Sequence, residues 1–254
     1  MSEVCRPDFI LLSSRPAMAS PPFHFKKFSI EQDGAAHRVG TDGVLLGAWA
    51  DVENCVDMLD IGTGTGLVAL MLAQRNEKAR ITAVEIHPES AALARRNFAA
   101  SPWASRLQLV EVSVQDFAQQ ADLQFDLIVS NPPFFSETVV SPDASRRLGR
   151  HTASLSPGDL LAAAKKLLTE NGRFCVILPV LEGKHLCELA VPNGLYCTEE
   201  VEIYARPAKP AERLLLCFEK NPYRFERKKL GVYAAEKGTH YSADFRSLTA
   251  NFYL

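Results

Sequence analysis

CVDMLDIGTGTGLVALMLAQR, residues 55–75, is the stretch that indicates how this chain folds. Its apolar run at 55–61 predicts a buried strand, and a glycine-rich turn follows directly. After the turn, LVALMLAQR places Leu67, Leu70 and Met71 on one face of a predicted helix. Glycines at such a turn let a ligand approach the backbone, while the helix N–H groups face it. The stretch predicts a strand–turn–helix unit with a ligand site at the turn.

The same alternation of apolar runs and helical segments continues along the chain. Strands are predicted near 55–61, 80–86, 107–112, 125–130 and 172–179, with helices between them. Two further strands, near 195–205 and 212–220, predict an antiparallel hairpin at one edge. The pattern is typical of an α/β fold with a doubly wound sheet, mostly parallel with an antiparallel edge strand.

The length of 254 residues fits one large domain with appendages. We expect a flexible leader at 1–22, without the pattern of a signal peptide, and a main domain at 23–220 that includes an N-terminal arm at 23–54. A basic tail is expected at 221–254. Between 206 and 237, nine Lys or Arg residues face four Glu, which indicates a local basic patch.

Composition excludes several classes of protein. The net charge of −2 differs from that of non-specific nucleic-acid binders, so any nucleic-acid contact has to be local. No apolar run approaches the roughly 18 residues of a membrane helix. The six cysteines form no C-x-x-C pair, and no Cys/His cluster has zinc-site spacing. We therefore expect a cytoplasmic protein that neither spans a membrane nor binds a metal.

Three acidic residues stand near the ends of successive predicted strands. Asp60, two residues before Gly62, suits a ligand with an ammonium group better than one with a pyrophosphate, which it would repel. Glu85 is placed to accept hydrogen bonds from two ribose hydroxyls, and Asp116 to bond the exocyclic amine of an adenine. Each acid alone fits a helix cap or a solvated strand end. Their order favours S-adenosylmethionine.

The glycine spacing supports the same cofactor. A dinucleotide fingerprint would have a third glycine where Leu67 stands, which together with Asp60 disfavours a nicotinamide oxidoreductase. With the three acids, the segment Gly62, Thr63, Gly64 and Gly66 resembles the class I methyltransferase fold over roughly 40–220. The resemblance implies that these residues bind S-adenosylmethionine.

The segment Asn131-Pro132-Pro133-Phe134 follows the fourth predicted strand. It resembles the N-P-P-[FYW] motif of enzymes that methylate planar amines in adenine, cytosine or a glutamine side chain. The lone pair of such an amine is delocalised. The Asn131 side-chain oxygen and the next backbone carbonyl can accept its two hydrogens and so make the nitrogen more nucleophilic. The prolines fix the carbonyls, and Phe134 offers a ring for stacking a base. A simple turn is the alternative interpretation, which the position after this strand disfavours.

A third segment, Arg38-Val39-Gly40-Thr41-Asp42-Gly43, precedes the first strand. Together with the N-P-P-F segment it is similar to the bacterial family that methylates N6 of the adenine immediately 3′ of the anticodon in a valine tRNA. The resemblance implies that Gly40 and Thr41 line the cofactor pocket and that Asp42 lines the target-base pocket. It also implies tRNA as the partner. A helix cap at this position is a compatible alternative.

Basic residues near these motifs are candidate tRNA contacts. They are Lys26, Lys27 and Arg38 in the arm, and Arg146, Arg147 and Arg150 in the long connection 135–156. Long connections of this kind are commonly lids or binding loops. For this connection, and for the run Arg224–Lys229, a solvated surface without RNA contact is the alternative.

Two other functions stay open at this point. A glutamine side chain or another RNA base could be the acceptor, although Phe134 and the basic, Phe-rich arm favour nucleic acid. A non-catalytic module that binds the cofactor or RNA is the second alternative. Retention of Asn131 in the complete N-P-P-F segment argues against it.

Overall fold

The computed structural model describes residues 21–33, 38–133, 155–222 and 224–253. Its strands are β1 (Phe23–His24), β2 (Ser29–Ile30), β3 (Asp57–Ile61), β4 (Arg80–Glu85), β5 (Leu107–Glu111), β6 (Phe125–Ser130), β7 (Leu168–Pro179), β8 (Tyr196–Tyr204), β9 (Ala211–Glu219) and β10 (Glu226–Gly231). Its α-helices are α1 (Thr41–Trp49), α2 (Leu67–Arg75), α3 (Pro88–Ala99), α4 (Val114–Gln120), α5 (Pro157–Leu167), α6 (Val180–Ala190) and α7 (Ala243–Thr249).

Eight strands form one sheet in the order β10-β8-β9-β7-β6-β3-β4-β5. Strand β9 is antiparallel to β7 and β8, and every other adjacent pair in this sheet is parallel. The predicted α/β class, with its antiparallel hairpin of β8 and β9, is confirmed. The hairpin is not outermost, however, because β10 pairs with β8 and forms the edge of the sheet.

The topology determines where a ligand can bind. The chain winds outward from β3 in both directions, with β4 and β5 on one side and β6 and β7 on the other. Ligands of such sheets bind beyond the carboxyl ends of the strands where the winding reverses. Here that position lies between β3 and β6, which are followed by Gly62 and Asn131.

Side chains of the central strands alternate between two hydrophobic layers, because successive residues of a strand point to opposite faces. Met58 and Leu127 belong to the layer that includes residues of α1 and α2. Leu59 and Ile128 belong to the layer that includes residues of α4, α5 and α6. The sheet is therefore covered on both faces, as its apolar strands predict.

Strand β7 begins at Leu168, earlier than the predicted start near 172. Its register with β6 shifts between Phe125 and Leu127. A Cβ on Gly172 would lie 2.8 Å from the Phe125 carbonyl oxygen, so glycine permits this close approach. The extra residues lengthen the strand without changing the position of its carboxyl end.

The basic run Arg224–Lys229 is paired with glutamates. Arg227 contacts Glu200 at 2.8 Å, Lys228 contacts Glu199 at 2.8 Å, and Arg224 contacts Glu226. Two of these glutamates lie on β8, outside the window in which the basic surplus was counted. The structure therefore favours the alternative of a solvated, salt-bridged surface at this edge strand, where charge also discourages pairing with another chain.

The N-terminal arm and the end of the chain pack together through aromatic rings. Phe25 stacks on Phe28 with ring centres 4.6 Å apart and on Tyr253 with centres 6.0 Å apart. Phe25 and Phe28 are both buried, so they do not present their rings to a nucleic acid. This corrects the interpretation of the Phe-rich arm as a feature that favours nucleic acid. The tail expected at 221–254 supplies β10 and α7, and Phe245 of α7 belongs to the same hydrophobic layer.

Several classes of feature are absent from the described residues. No helix in the described part of the chain is long and apolar enough to cross a membrane. The described ranges also contain no group of three or more His, Cys, Asp or Glu side chains that could hold a metal ion. The described cysteines, Cys55, Cys175, Cys187, Cys197 and Cys217, are free thiols.

We predict that Phe245→Ala lowers the free energy of unfolding by about 3–5 kcal/mol, because the ring is 1% exposed and its loss leaves a cavity. Phe225→Ala is the control, since that ring is 52% exposed and its removal should cost less than about 1 kcal/mol. Denaturant unfolding of both variants measures the difference. Equal, small losses would show that the segment after residue 220 does not share the core of the domain.

Candidate active site

The glycine turn (Gly62–Gly66) opens toward free space at the end of β3. Gly62, Gly64 and Gly66 have φ of +69°, +57° and +84°, which L side chains rarely adopt. A Cβ on Gly62 or Gly64 would meet nothing within 4 Å, whereas one on Gly66 would lie 2.5 Å from the Phe98 ring. The first two glycines leave room for a ligand, and the third allows the turn to pack against α3.

Asp60 is fully buried and is bonded to the turn itself. Its Oδ2 accepts a hydrogen bond from the Thr63 hydroxyl at 2.6 Å and another from the Ala69 N–H at 3.1 Å. Burial raises the pKa of Asp60 to about 6, against the lowering effect of these two bonds. The carboxylate thus joins β3, the glycine turn and the first turn of α2, and its charge lies where a cation would be favoured.

Glu85 fixes the turn from the neighbouring strand. Its Oε2 accepts from the Gly64 N–H at 2.9 Å, and its Oε1 accepts from the His87 N–H at 2.9 Å. The residue is 5% exposed. A carboxylate offers about four acceptor positions, so each oxygen retains capacity for one more donor, such as a ribose hydroxyl.

Asp116 is exposed in the first turn of α4 and takes part in the helix cap. The Ser113 hydroxyl donates to its Oδ2 at 2.7 Å and accepts from its N–H at 3.0 Å. Asp116 therefore takes part in a helix cap, which was the alternative interpretation of this residue. Because β5 lies next to β4, the exposed carboxylate also stands at the same edge of the sheet as Glu85.

Asn131 follows β6 directly beside the glycine turn. Ser130 is paired in register with Ile61, and its buried hydroxyl donates to the Ile61 carbonyl oxygen at 3.0 Å. Asn131 and Gly62 therefore occupy equivalent positions at the ends of neighbouring parallel strands. Asn131 is half-buried, Pro132 is buried and Pro133 is exposed. Phe134, Arg146, Arg147 and Arg150 lie outside the described residues.

The segment Gly40–Gly43 begins α1 and reaches the same place. Gly40 is the extended N-cap residue, without a side-chain cap, and Thr41 is exposed. A Cβ on Gly43 would lie 3.9 Å from Asn131 Nδ2 and 3.0 Å from Leu67 Cδ2. Asp42 accepts from Arg213 Nε at 2.8 Å. The segment thus begins a helix, as one of its two interpretations predicts, and Gly43 lies beside Asn131.

The candidate tRNA contacts in the arm, Lys26, Lys27 and Arg38, are all exposed. The ammonium group of Lys26 donates to the Ala250 carbonyl at 2.7 Å, so it is engaged in joining the arm to the end of the chain. Arg38 lies two residues before Gly40 and thus near the site along the chain.

Asn97 is a polar residue of the site region that sequence analysis did not identify. It is 2% exposed, and its Nδ2 donates to the Thr65 carbonyl at 2.8 Å, while its Oδ1 accepts from the Glu31 N–H at 2.8 Å. It thus joins the glycine turn to the arm. The signal was present, because an Asn stands among the apolar residues on the buried face of α3.

Known proteins that are similar to this chain are named as methyltransferases. A family model described as "Methyltransferase small domain" matches residues 43–186. The chain is 43% identical over 244 residues to a tRNA1(Val) (adenine(37)-N6)-methyltransferase of Yersinia enterocolitica, with 96% of both chains covered. It is 42% identical to the protein of that name from Haemophilus influenzae, over 91% of this chain and 98% of the relative. The relative of that name from Parabacteroides distasonis is 41% identical, over 93% of this chain and 99% of the relative.

Among solved structures, a predicted O-methyltransferase from Agrobacterium tumefaciens superimposes with a TM-score of 0.63 at 21% identity. The match covers 83% of this chain and 96% of that one. A glycopeptide N-methyltransferase solved with S-adenosylmethionine gives a TM-score of 0.53 at 14% identity, over 72% of this chain and 100% of that one. These likenesses show the class I methyltransferase fold.

We predict that Asp60→Asn changes how stability depends on pH. The raised pKa, about 6 against an ordinary 3.8, means that the folded protein binds this proton more tightly than the unfolded chain. The resulting stabilisation is complete below pH 3.8 and is lost as the pH rises through about 6. The Tm of the wild type minus that of the variant should therefore fall between about pH 3.8 and about pH 6, and level off above about pH 6. Thermal unfolding across this range measures it, and a constant difference would argue against the buried charge.

Proposed function

The chain belongs to the tRNA1(Val) (adenine(37)-N6)-methyltransferase family, and we therefore propose that it transfers a methyl group from S-adenosylmethionine to N6 of adenine 37 in tRNA1(Val). The observation that carries the proposal is the position of Asn131 beside Gly62, at the carboxyl ends of the register-paired strands β6 and β3. A methyl donor over the turn and an amine held by Asn131 would meet there.

The residues of the site fit the cofactor. Gly62 and Gly64 leave free space over the turn, and the buried carboxylate of Asp60 supplies negative charge for an ammonium group. Glu85 retains acceptor capacity for ribose hydroxyls, and Asp116 is the candidate partner for the adenine amine. We propose Gly40, Thr41 and Thr63 as further residues of this pocket. When bound, S-adenosylmethionine supplies an electrophilic methyl group on a sulfonium.

The chain's own groups prepare the acceptor amine. The Asn131 side-chain oxygen and the Pro132 backbone carbonyl would each accept one N–H of adenine N6, which weakens delocalisation of the nitrogen lone pair into the ring. As positive charge developed on N6 during transfer, its N–H groups would become more acidic, so one of the two protons could pass from N6 to water and no strong base is required in the site. Pro132 and Pro133 fix the backbone φ, which keeps the carbonyl in one orientation. Phe134 is proposed to stack on the base.

In this proposal the tRNA approaches the carboxyl ends of the parallel strands, where the cofactor also binds. Lys27 and Arg38 are exposed on the arm that leads into α1, and phosphate contacts from such residues position a nucleic acid without specifying its sequence. Lys26, Arg146, Arg147 and Arg150 stay candidate contacts. A reaction on tRNA belongs in the cytoplasm, and the free thiols of the described cysteines are consistent with that compartment.

The activity is tested with purified protein, labelled S-adenosylmethionine and an unmodified tRNA1(Val) transcript. We expect one methyl group per tRNA, located at N6 of adenine 37 by nucleoside mass spectrometry. A transcript with guanine at that position is the control and should stay unlabelled. Cofactor binding without methylation of the first transcript would overturn the proposal.

We predict that Asn131→Ala lowers kcat by about 10²–10³-fold, because one acceptor for the amine is lost from the transition state. The Kd for S-adenosylmethionine should change by less than about tenfold, since the substitution leaves the glycine turn intact. Asn131→Asp, which keeps a side-chain oxygen, is the matched variant and should lose far less. Single-turnover methylation and calorimetric titration measure the two quantities. Equal losses in both variants would exclude the acceptor role of the side-chain oxygen.

A further inference from the structure

Helix α1 is joined to the sheet by an arginine–aspartate ion pair near each end. In its first turn, Asp42 Oδ2 lies 2.8 Å from Nε of Arg213 on β9. Just beyond its last turn, Asp51 Oδ2 lies 2.7 Å from a terminal guanidinium nitrogen of Arg173 on β7. The two aspartates thus hold the same helix against two adjacent strands.

The two ion pairs lie at opposite ends of the central strands. Arg213 is paired in register with Pro179, the last residue of β7, so it stands at the edge where the carboxyl ends of the parallel strands lie. Arg173 is paired with Leu127, near the start of β6 and away from Asn131. Of the two pairs, only Asp42–Arg213 lies at the carboxyl ends of the parallel strands, where the candidate active site is.

The residue after Asp42 lies beside the proposed acceptor site. The Cβ position of Gly43 lies 3.9 Å from Asn131 Nδ2 and 3.0 Å from the Leu67 side chain, so the first turn of α1 leaves no space for an added methyl group without movement. A displacement of this turn would change the position of the wall beside Asn131. Misplacement of reacting groups by about 1 Å can reduce a rate by about 100-fold.

Electrostatics gives a second reason why Asp42 should be paired with Arg213. An unpaired carboxylate at the edge where RNA docks would repel phosphates, whereas Arg213 neutralises Asp42 with a hydrogen bond. The two side chains are 29% and 26% exposed, so the pair is only partly screened by solvent. Asp42 also lies in the first turn of α1, where a negative charge is favoured by the helix dipole.

We propose that Arg213 is a positioning residue for methyl transfer: through Asp42 it fixes the first turn of α1 against Asn131 and so sets the geometry of the pocket that takes the acceptor base. The inference rests on the proposed function and assigns Asp42 a role through Arg213 instead of a direct contact with the substrate. Neither residue touches the reacting atoms in this account.

The test compares Arg213→Gln, Asp42→Asn and the double variant as full-length proteins with the unmodified tRNA1(Val) transcript. We expect each single variant to lower kcat about tenfold, with the Kd for S-adenosylmethionine within about twofold of the wild type. The double variant should be no slower than the slower single variant, because both substitutions break the same interaction. Losses that multiply in the double variant would overturn the proposal, since they would mean that the two residues act separately.

Asp51→Asn is the matched control, because it makes the same change at the other end of the same helix. It should lower the Tm by an amount comparable to Asp42→Asn while leaving kcat within about twofold of the wild type. If Asp51→Asn lowers kcat as much as Asp42→Asn, the effect comes from general destabilisation and positioning is refuted. An unchanged kcat for Arg213→Gln refutes it as well.

A second readout separates this inference from the proposed function. The side-chain amide of Asn131 gives an NMR signal that can be assigned by its loss in Asn131→Asp. We expect this signal to shift in Arg213→Gln and to stay in place in Asp51→Asn, whether or not the tRNA is the acceptor. An unmoved signal in Arg213→Gln overturns the positioning role, whereas a wild type that binds the cofactor but leaves the transcript unmethylated overturns the proposed function instead.

Discussion

The parallel register between β3 and β6 brings the two halves of the candidate active site together. Ser130 pairs with Ile61, and the hydrogen bond of 3.0 Å from its buried hydroxyl to the Ile61 carbonyl reinforces that register at the last residue of each strand. The glycine turn and the N-P-P-F segment both begin at the next residue. Since successive strand residues face opposite sides of the sheet, a slip of one residue would separate the turn from Asn131.

Two buried carboxylates hold the glycine turn through hydrogen bonds within the protein. Asp60 accepts from Thr63 and from the Ala69 backbone, and Glu85 accepts from the Gly64 and His87 backbones. Placing negative charge in a buried site is unfavourable by itself, as the raised pKa of Asp60 shows. A bound ammonium group would offset that cost, so the same charges that order the turn favour a cationic ligand.

The central sheet and the candidate site could be predicted because their signals are local in sequence. Glycines, an acid at the strand end and the N-P-P-F segment each directly follow an apolar run, and parallel strands bring such ends together. Contacts between distant residues could not be found this way. Arg213 meets Asp42 across 171 positions, and Lys26 meets Ala250 across 224. The role of Phe25 as a core residue depends on Tyr253 at the other end of the chain.

In the proposed reaction, a methyl donor bound over the glycine turn faces the oxygens of Asn131 and Pro132. A crystal structure of the complex with S-adenosylhomocysteine tests it most directly. We expect the sulfur of this product to lie over Gly62–Gly66 and to point toward the Asn131 side-chain oxygen and the Pro132 carbonyl, with the ribose hydroxyls on Glu85. A ligand bound at another edge of the sheet, or a sulfur directed away from Asn131, would contradict it.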